Sequence, residues 1–199
     1  LGALDPRAPL LAEERSQAAA RRFEERFFAP WEAGRPAPAA RDAAWGFSTY
    51  AKRRIFGENL RPRRADWVSG LEFQAGLADF PNLALAGRGR PALTVRHASL
   101  RVMPSDRPLF LDPALPGEGF PFDQLQQSSV WAGTPVCLQH VSRDGAWYWA
   151  DAPFASGWLP AADVALVDPA VMARRDGLAA VRGEPGCVNR SAVADRKST

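Results

Sequence analysis

Apolar residues recur at helical spacing in the first part of the chain. The segment from Leu10 to Ala29 is rich in Ala, Glu, Arg and Leu. Within it, Ala19, Phe23 and Phe27 lie four residues apart and therefore share one face of a helix. Pro30 cannot continue such a helix, because it lacks a backbone N–H. We predict a helix that ends at this proline.

Two shorter helices are predicted further along the chain. Ser48 is a suitable N-cap and Gly57 a suitable terminator, which predicts a helix from Ser48 to Phe56. A third helix is predicted over 63–76, where Trp67 and Leu71 fall on one face. The first ninety residues are therefore predicted to form a helical block.

The pattern changes to a period of two after the segment Gly87–Pro91. Leu93 and Val95, and then Leu100 and Val102, alternate with polar or small residues. This alternation is typical of strands with one buried face. We predict that strands replace helices from about residue 91.

The clearest hairpin signal is the turn Arg143-Asp144-Gly145. It separates two β-rich segments, Thr134–Ser142 and Ala146–Ala152, and Asp-Gly is strongly favoured in two-residue hairpin turns. Five or more short strands in about 75 residues predict a small barrel or sandwich. Two more short strands and one helical turn complete this prediction: Gly157–Leu159, Val164–Val167 and Pro160–Asp163.

Charge divides the chain at similar places. Residues 1–90 carry 15 basic and 11 acidic side chains, residues 91–168 carry 4 and 8, and residues 169–199 carry 6 and 3. The fold class predicted is therefore α+β, with a helical domain over 1–90 and a small β-barrel over 91–168. The C-terminal extension, 169–199, contains one short strand-like piece at Leu178–Val181 and would begin a further domain.

Composition restricts the chemistry of the chain. Among 199 residues there are two histidines, His97 and His140, and two cysteines, Cys137 and Cys187. We therefore predict no cofactor, no metal site and no catalytic residue. Residues three apart on a strand face opposite ways, which disfavours a dyad of Cys137 and His140. No apolar run reaches the roughly 18 residues of a membrane-spanning helix. The acidic middle segment disfavours nucleic acid as a partner.

Four motifs in a fixed order resemble a known protein family. They are similar to the first SH3-like domain of multidomain NlpC-type cell-wall cysteine endopeptidases, the γ-D-glutamyl-diamino acid endopeptidase family. The helical block, with Pro30-Trp31 and Gly57–Leu60, is similar to the amino-terminal domain that precedes it there. The resemblance covers about residues 20–168 and rests on Leu100–Ser105, Gly117–Ser128, His140–Trp147 and Gly157-Trp158.

The resemblance implies an exported bacterial protein that acts on peptidoglycan stem peptides in the periplasm or elsewhere in the cell envelope, its signal peptide removed. In that family the catalytic domain follows the SH3-like domains and carries an Asp-Cys-Ser/Gly segment. Neither cysteine here lies in such a motif, and no histidine follows His140. We therefore expect a non-catalytic, substrate-gating portion whose C-terminal peptidase domain is absent from this chain. The enzyme question stays open, including an enzyme that uses Cys137.

The segment Gly117–Ser128 is the sharpest candidate for a ligand site. We predict a loop whose rings, Phe120 and Phe122, anchor it to the barrel while Asp123, Gln126 and Ser128 face a ligand. The resemblance places the first SH3-like domain beside the active-site cleft, so these groups would help to select the stem peptide. The alternative is that Asp123 and Gln126 only hydrogen-bond their own loop.

Three further residues are candidates for ligand binding. Arg101 would contact a carboxylate of the stem peptide or of a neighbouring domain, or it would pair with Asp123. His140 would bind a ligand or order the adjacent turn. Trp147 and Trp149 share one face of a strand and would line an aromatic groove or join the core.

A basic cluster in the helical block leaves several interpretations open. It is Lys52, Arg53 and Arg54 together with Arg61, Arg63 and Arg64. A solvated helix face, nucleic acid, and an anionic wall polymer or lipid all fit its charge. For the whole chain, the alternative to wall binding is a protein–protein interaction module that docks to a separate or missing catalytic domain.

Overall fold

The computed structural model describes residues 13–32, 40–80 and 89–173. Helices come first and strands follow, as the α+β prediction requires. The strand predicted at 178–181 and Cys187 lie outside the described residues. The α-helices are α1 (Glu13–Phe28), α2 (Ala40–Tyr50), α3 (Trp67–Ala75) and α4 (Pro169–Ala173), with short 3₁₀ turns at Ala29–Trp31, Leu77–Asp79 and Ala161–Asp163.

Helix α1 ends at the predicted place, and the tryptophan after it joins the helical block to the strands. Trp31 is 7% exposed, and its indole Nε1 donates hydrogen bonds to the carbonyl oxygens of Ala92 and Val136, both at 3.1 Å. The Phe28 ring lies 5.4 Å from the Trp31 ring. The motif Pro30-Trp31 therefore stops the helix and fixes its end to two strands.

The helix predicted over 48–56 is wrong. The helix lies earlier, at α2, and Ser48 is inside it instead of capping it. The Ser48 hydroxyl donates to the Trp45 carbonyl oxygen at 2.9 Å, a bond that satisfies the side chain within a helix. Beyond Tyr50 the chain turns at 51–53, and Phe56 then forms isolated backbone bridges with Pro62 and with Phe110 of the β2–β3 connection.

Helix α3 occupies the middle of its predicted range. It starts at Trp67, whose backbone N–H donates to the carbonyl oxygen of Arg64. It is ended by Gly76, which adopts φ of 67°. A glycine in the left-handed region is a frequent helix terminator. Trp67 and Leu71 pack against the same core, as their spacing predicts.

Seven antiparallel strands form one sheet that curls into a small barrel. Their order is β3-β2-β6-β5-β4-β1-β7, so among the residues that the structure describes β3 and β7 each have one edge without a partner strand. The predicted hairpin is confirmed as β4 and β5, which pair with a register shift between Leu138 and His140. The strands are β1 (Arg90–Thr94), β2 (Ala98–Arg101), β3 (Gln126–Val130), β4 (Pro135–Val141), β5 (Trp147–Asp151), β6 (Ser156–Pro160) and β7 (Val164–Leu166).

The larger core cluster contains residues of both the helical block and the barrel. Phe47 of α2 and Val68 of α3 share it with the barrel residues Trp149 and Trp158, all at most 3% exposed. A second cluster lies within the strands alone and centres on Leu100, Leu138 and Leu159. The described residues up to Leu166 therefore form one compact unit.

The short helix α4 lies in a second unit that begins at Val167. Its first turn is closed by Asp168, whose backbone oxygen accepts from the N–H of Val171 at 2.9 Å. In the described part of the chain, no helix is both long enough and apolar enough to cross a bilayer.

Candidate ligand-binding site

A buried arginine at the end of β2 organises the candidate site. A register shift between Leu100 and Arg101 places Arg101 opposite Gln126, where β2 leaves its neighbour β3. The Arg101 guanidinium donates to Asp123 Oδ2 at 2.6 Å and to Gln126 Oε1 at 3.1 Å. It also donates to the carbonyl oxygens of Ser105 and Arg107. The Arg101 guanidinium thus holds together the beginning and the end of the long β2–β3 connection.

Asp123 is fully engaged by the protein. Its Oδ2 pairs with Arg101, and its Oδ1 accepts the backbone N–H groups of Leu109 and Leu125, each at 3.0 Å. Of the alternatives left open by the sequence, the internal pairing of Arg101 with Asp123 is the one observed. Because removing one partner of a buried ion pair costs about 3–5 kcal/mol, this pair holds the loop in place.

Gln126 and Ser128 lie on strand β3, not in the loop predicted for them. The Gln126 side chain is exposed, and both ends of its amide are held, Oε1 by Arg101 and Nε2 by the Ser128 carbonyl oxygen at 2.6 Å. Ser128 is half-buried opposite Leu100. The neighbouring Gln127 and Ser129 are exposed, so this strand presents polar groups beside its unpaired edge.

The predicted anchoring of the loop by two phenylalanines is wrong. Phe120 is 76% exposed and Phe122 is 51% exposed. The buried side chains that hold the loop are Leu109, Phe110 and Leu125. The backbone N–H groups of Leu109 and Leu125 donate to Asp123, which holds these two residues in their buried positions.

His140 lies inside the protein instead of on a ligand-accessible surface. It is fully buried, and its Nε2 is 2.7 Å from the carbonyl oxygen of Ala75, the last residue of α3. The rings of Phe80 and Trp158 pack beside it at 4.7 and 5.9 Å. Burial lowers the pKa of His140, opposed by the Ala75 hydrogen bond and by the charge of Asp79. The neutral ring therefore joins α3 to the barrel.

The tryptophans divide between core and surface. Trp149 and Trp158 are buried with ring centroids 5.7 Å apart, and Trp147 packs, half-buried, against the same core. The shared face predicted for Trp147 and Trp149 is therefore a core face. Trp131 is 72% exposed, with the His97 ring 5.3 Å away.

Cys137 and His140 have different partners and form no dyad. Cys137 is buried, and its Sγ accepts from Gln139 Nε2 at 3.3 Å, whereas His140 contacts α3. Among the residues that the structure describes, no group of three or more His, Cys, Asp or Glu side chains is arranged to hold a metal ion.

Sequence reasoning missed a joint between the helical block and the site. Glu58 accepts from Arg63 at 2.8 Å and from Arg107 at 2.6 Å, and Arg63 also donates to the Pro108 carbonyl oxygen at 2.8 Å. Hydrogen bonds from its own backbone and from Arg107 lower the pKa of Glu58 to about 2. The motif Gly57–Leu60 contains Glu58, but its partner Arg107 lies 49 residues further along the chain, where no local pattern reports the contact.

Comparisons with known proteins agree with this architecture. Residues 2–80 match the NLPC_P60 stabilising domain, N term, and residues 108–160 match the SH3 domain of the SH3b1 type. No curated protein matches the sequence significantly. A solved NlpC/P60 endopeptidase from Photobacterium damselae subsp. piscicida has a similar fold, with a TM-score of 0.77 and 22% identity. The similarity covers 82% of this chain and 39% of that one. The predicted resemblance is confirmed: the chain contains an N-terminal NLPC_P60 stabilising domain and an SH3 domain of the SH3b1 type.

Proposed function

We propose that this chain is the non-catalytic, wall-binding part of an extracytoplasmic peptidoglycan endopeptidase, and that it binds stem peptides along strand β3. One observation carries the proposal: the buried Arg101 guanidinium fixes Gln126 at the start of an exposed, polar edge strand. SH3 domains of the SH3b type bind peptidoglycan, which supports the choice of ligand.

The edge of β3 suits an extended peptide. An unpaired strand edge offers backbone N–H and C=O groups to a peptide that adds as a further strand. Exposed amide and hydroxyl side chains of Gln127 and Ser129 lie along the same strand and match the amide and amine groups of a stem peptide. Because Arg101 neutralises the Asp123 carboxylate, we propose that the stem peptide is recognised by the edge of β3 and not by Asp123.

Fixed geometry is the second support. Gln126 is held at both ends, so little conformational entropy is lost when a peptide contacts it. In the family that the sequence resembles, this SH3-like domain lies beside the active-site cleft. A peptide bound at β3 would then be selected before it reaches the peptidase domain, which is the gating role.

The test is isothermal titration calorimetry of the chain with a free stem tetrapeptide that contains a diamino acid. We expect binding that Gln126→Ala weakens at least fivefold, since this change removes the fixed amide and leaves the Arg101–Asp123 pair intact. Gln17→Ala on α1 is the matched control and leaves affinity unchanged. Absence of heat with the wild-type chain, or equal affinity of both variants, contradicts peptide binding at β3.

Exposed apolar side chains support the second candidate function, docking to a peptidase domain. Leu115, Phe120 and Phe122 are each more than half exposed on one loop. Several exposed apolar side chains on one loop are typical of a surface that contacts another protein. A peptidase domain supplied separately should bind the wild-type chain and lose affinity for the Phe120→Ser/Phe122→Ser variant. Unchanged affinity of this variant would place the contact elsewhere.

A further inference from the structure

A basic groove separate from the β3 edge lies in the helical block. It runs between the end of α2 and the start of α3, encloses about 340 Å³ and is lined by Tyr50, Ile55 and Val68 among apolar side chains. Five cationic side chains and no carboxylate complete its lining: Lys52, Arg53, Arg54, Arg63 and Arg64. We name this the basic groove.

The cations of the basic groove are only partly neutralised. Arg64 pairs with Asp66 at 2.9 Å, and Arg63 shares Glu58 with Arg107. Within the described residues, no carboxylate forms an ion pair with the exposed side chains at 52–54. An anion in the groove would therefore meet several cations whose charge the protein leaves available.

Arg63 gives the basic groove a fixed wall. Its side chain is 8% exposed, and its guanidinium lies 4.1 Å from the centroid of the Trp67 ring. The same guanidinium lies against the backbone of Gly57, where an added Cβ would lie 3.2 Å from the guanidinium carbon. Burial lowers the pKa of Arg63, against the opposing charge of Glu58. Arg63 is thus held in place by Glu58 and Trp67, and the charge available to an anion comes from the exposed side chains at 52–54.

The aromatic rings near the basic groove are already covered by guanidinium groups. Arg63 lies over Trp67, and Arg54 lies 5.2 Å from the centroid of the Phe56 ring. Proteins that bind single-stranded nucleic acid need open aromatic faces on which bases stack. The apolar residues that line the basic groove, Ile55 and Val68, are buried, so no apolar side chain is offered for insertion into a bilayer. The groove therefore favours a polyanion without bases or acyl chains.

We propose that the basic groove binds a linear polyol-phosphate chain, through contacts of Lys52, Arg53, Arg54 and Arg64 with successive phosphodiester groups. Guanidinium groups match phosphate oxygens by paired hydrogen bonds, and a flexible chain can follow a groove of this size. This binding is independent of the stem-peptide site and would add a second attachment to the cell envelope.

The test is fluorescence anisotropy of the full 199-residue chain with labelled poly(glycerol phosphate) oligomers over a series of salt concentrations. We expect Arg53→Gln/Arg54→Gln to weaken binding about tenfold and to lower the slope of log affinity against log salt by about 2. Arg26→Gln/Arg41→Gln is the matched control, because it removes the same charge from exposed positions on α1 and α2. This control should change affinity less than twofold.

Four outcomes overturn the proposal. They are no binding of the polymer to the wild-type chain, an equal loss in the control variant, tighter binding of single-stranded DNA at equal phosphate concentration, and tighter binding of phosphatidylglycerol vesicles. Circular dichroism of both variants confirms that they fold. Gln126→Ala should bind the polymer normally, which separates this site from the proposed peptide site.

Discussion

Two buried polar side chains, Arg101 and His140, connect distant segments of the protein. Arg101 and His140 are each of a residue type that often binds ligands. Here each is surrounded by protein, and each joins segments far apart in sequence: Arg101 joins β2 to Asp123, and His140 joins β4 to Ala75. Each of these side chains holds neighbouring segments of the protein in place.

The buried imidazole predicts a pH dependence of stability. The pKa of His140 is lowered in the folded state, chiefly by burial, so the unfolded chain binds a proton more readily. The stability that the neutral His140 ring contributes is therefore fully present above the unfolded pKa of about 6.5, and it is lost as the pH falls below that value. Denaturant unfolding between pH 7.5 and 5 should show this loss in the wild-type chain and a flatter profile in His140→Gln.

The exposed His97 provides the control. His97→Gln should keep the wild-type profile over the same pH range, because its ring lies at the surface beside Trp131. Carboxylates contribute below this range, Glu58 with a pKa of about 2 among them. A profile for His140→Gln as steep as that of the wild-type chain would assign the pH dependence to other groups.

At the scale of elements, α2 lies unusually close to the barrel. A Cβ added to Gly46 would lie 2.3 Å from Val102 Cγ1 and 3.4 Å from the Val102 carbonyl oxygen. Only a glycine allows the helix this approach. The residues beside it, Phe47 and Ala43, are buried in the shared core, so the contact sets how the helical block meets the barrel.

Two glycine substitutions should have opposite effects. Gly46→Ala gains about 1 kcal/mol of helix propensity but forces overpacking against Val102, which costs about 1–3 kcal/mol, so we expect a net loss. Gly70→Ala on α3 has nothing within 4 Å of the new Cβ and should stabilise by about 0.5–1 kcal/mol. Thermal and urea unfolding measure both.

A third variant tests the cause of the Gly46 effect. Val102→Ala removes the methyl group that Gly46→Ala would meet, so the double variant should lose less stability than the two single changes added together. Strict additivity, or a Gly46→Ala variant as stable as the wild-type chain, would show that α2 moves away from the barrel at little cost.

At the scale of the molecule, the helical block and the barrel share one core. Phe47, Val68, Trp149 and Trp158 belong to the same cluster, although they come from both halves of the described chain. Trp31 adds a second connection through its bonds to β1 and β4. Neither half buries its share of this cluster without the other.

This shared core predicts a single cooperative transition. Far-ultraviolet circular dichroism at 222 nm, which reports mainly the helices, and tryptophan fluorescence, to which the tryptophans of both the helical block and the barrel contribute, should give coincident thermal curves. Phe47 is 1% exposed, and Phe47→Ala should reduce the free energy of unfolding by about 3–5 kcal/mol. The midpoint temperatures of both curves should fall together. Loss of the helical signal at a lower temperature than the fluorescence change would contradict a common core.

Local signals account for the elements that the sequence predicts correctly. The β4–β5 hairpin follows from its Asp-Gly turn, and the end of α1 follows from Pro30. Strand β3 was missed because its residues Gln126–Val130 are mostly polar, and its strand geometry comes from pairing with β2. The predicted position of helix α2 is wrong because Ser48 resembles an N-cap in sequence, whereas its hydroxyl donates to a carbonyl oxygen inside the helix.

The site shows the same division. The pairing of Arg101 with Asp123 was among the predicted alternatives, because opposite charges in neighbouring motifs invite it. The burial of His140 depends on Ala75, which lies 65 residues earlier, and no local pattern reports such a contact. Long-range packing thus decides which polar residues stay available at the surface.

The close packing of α2 against Val102 has a consequence for how such genes recombine. A crossover that exchanged the barrel-coding segment alone would pair Gly46 with a foreign residue at position 102, and any bulkier side chain there would meet the helix. Helical block and barrel are therefore expected to be inherited together, as one exchangeable cassette that ends near Leu166.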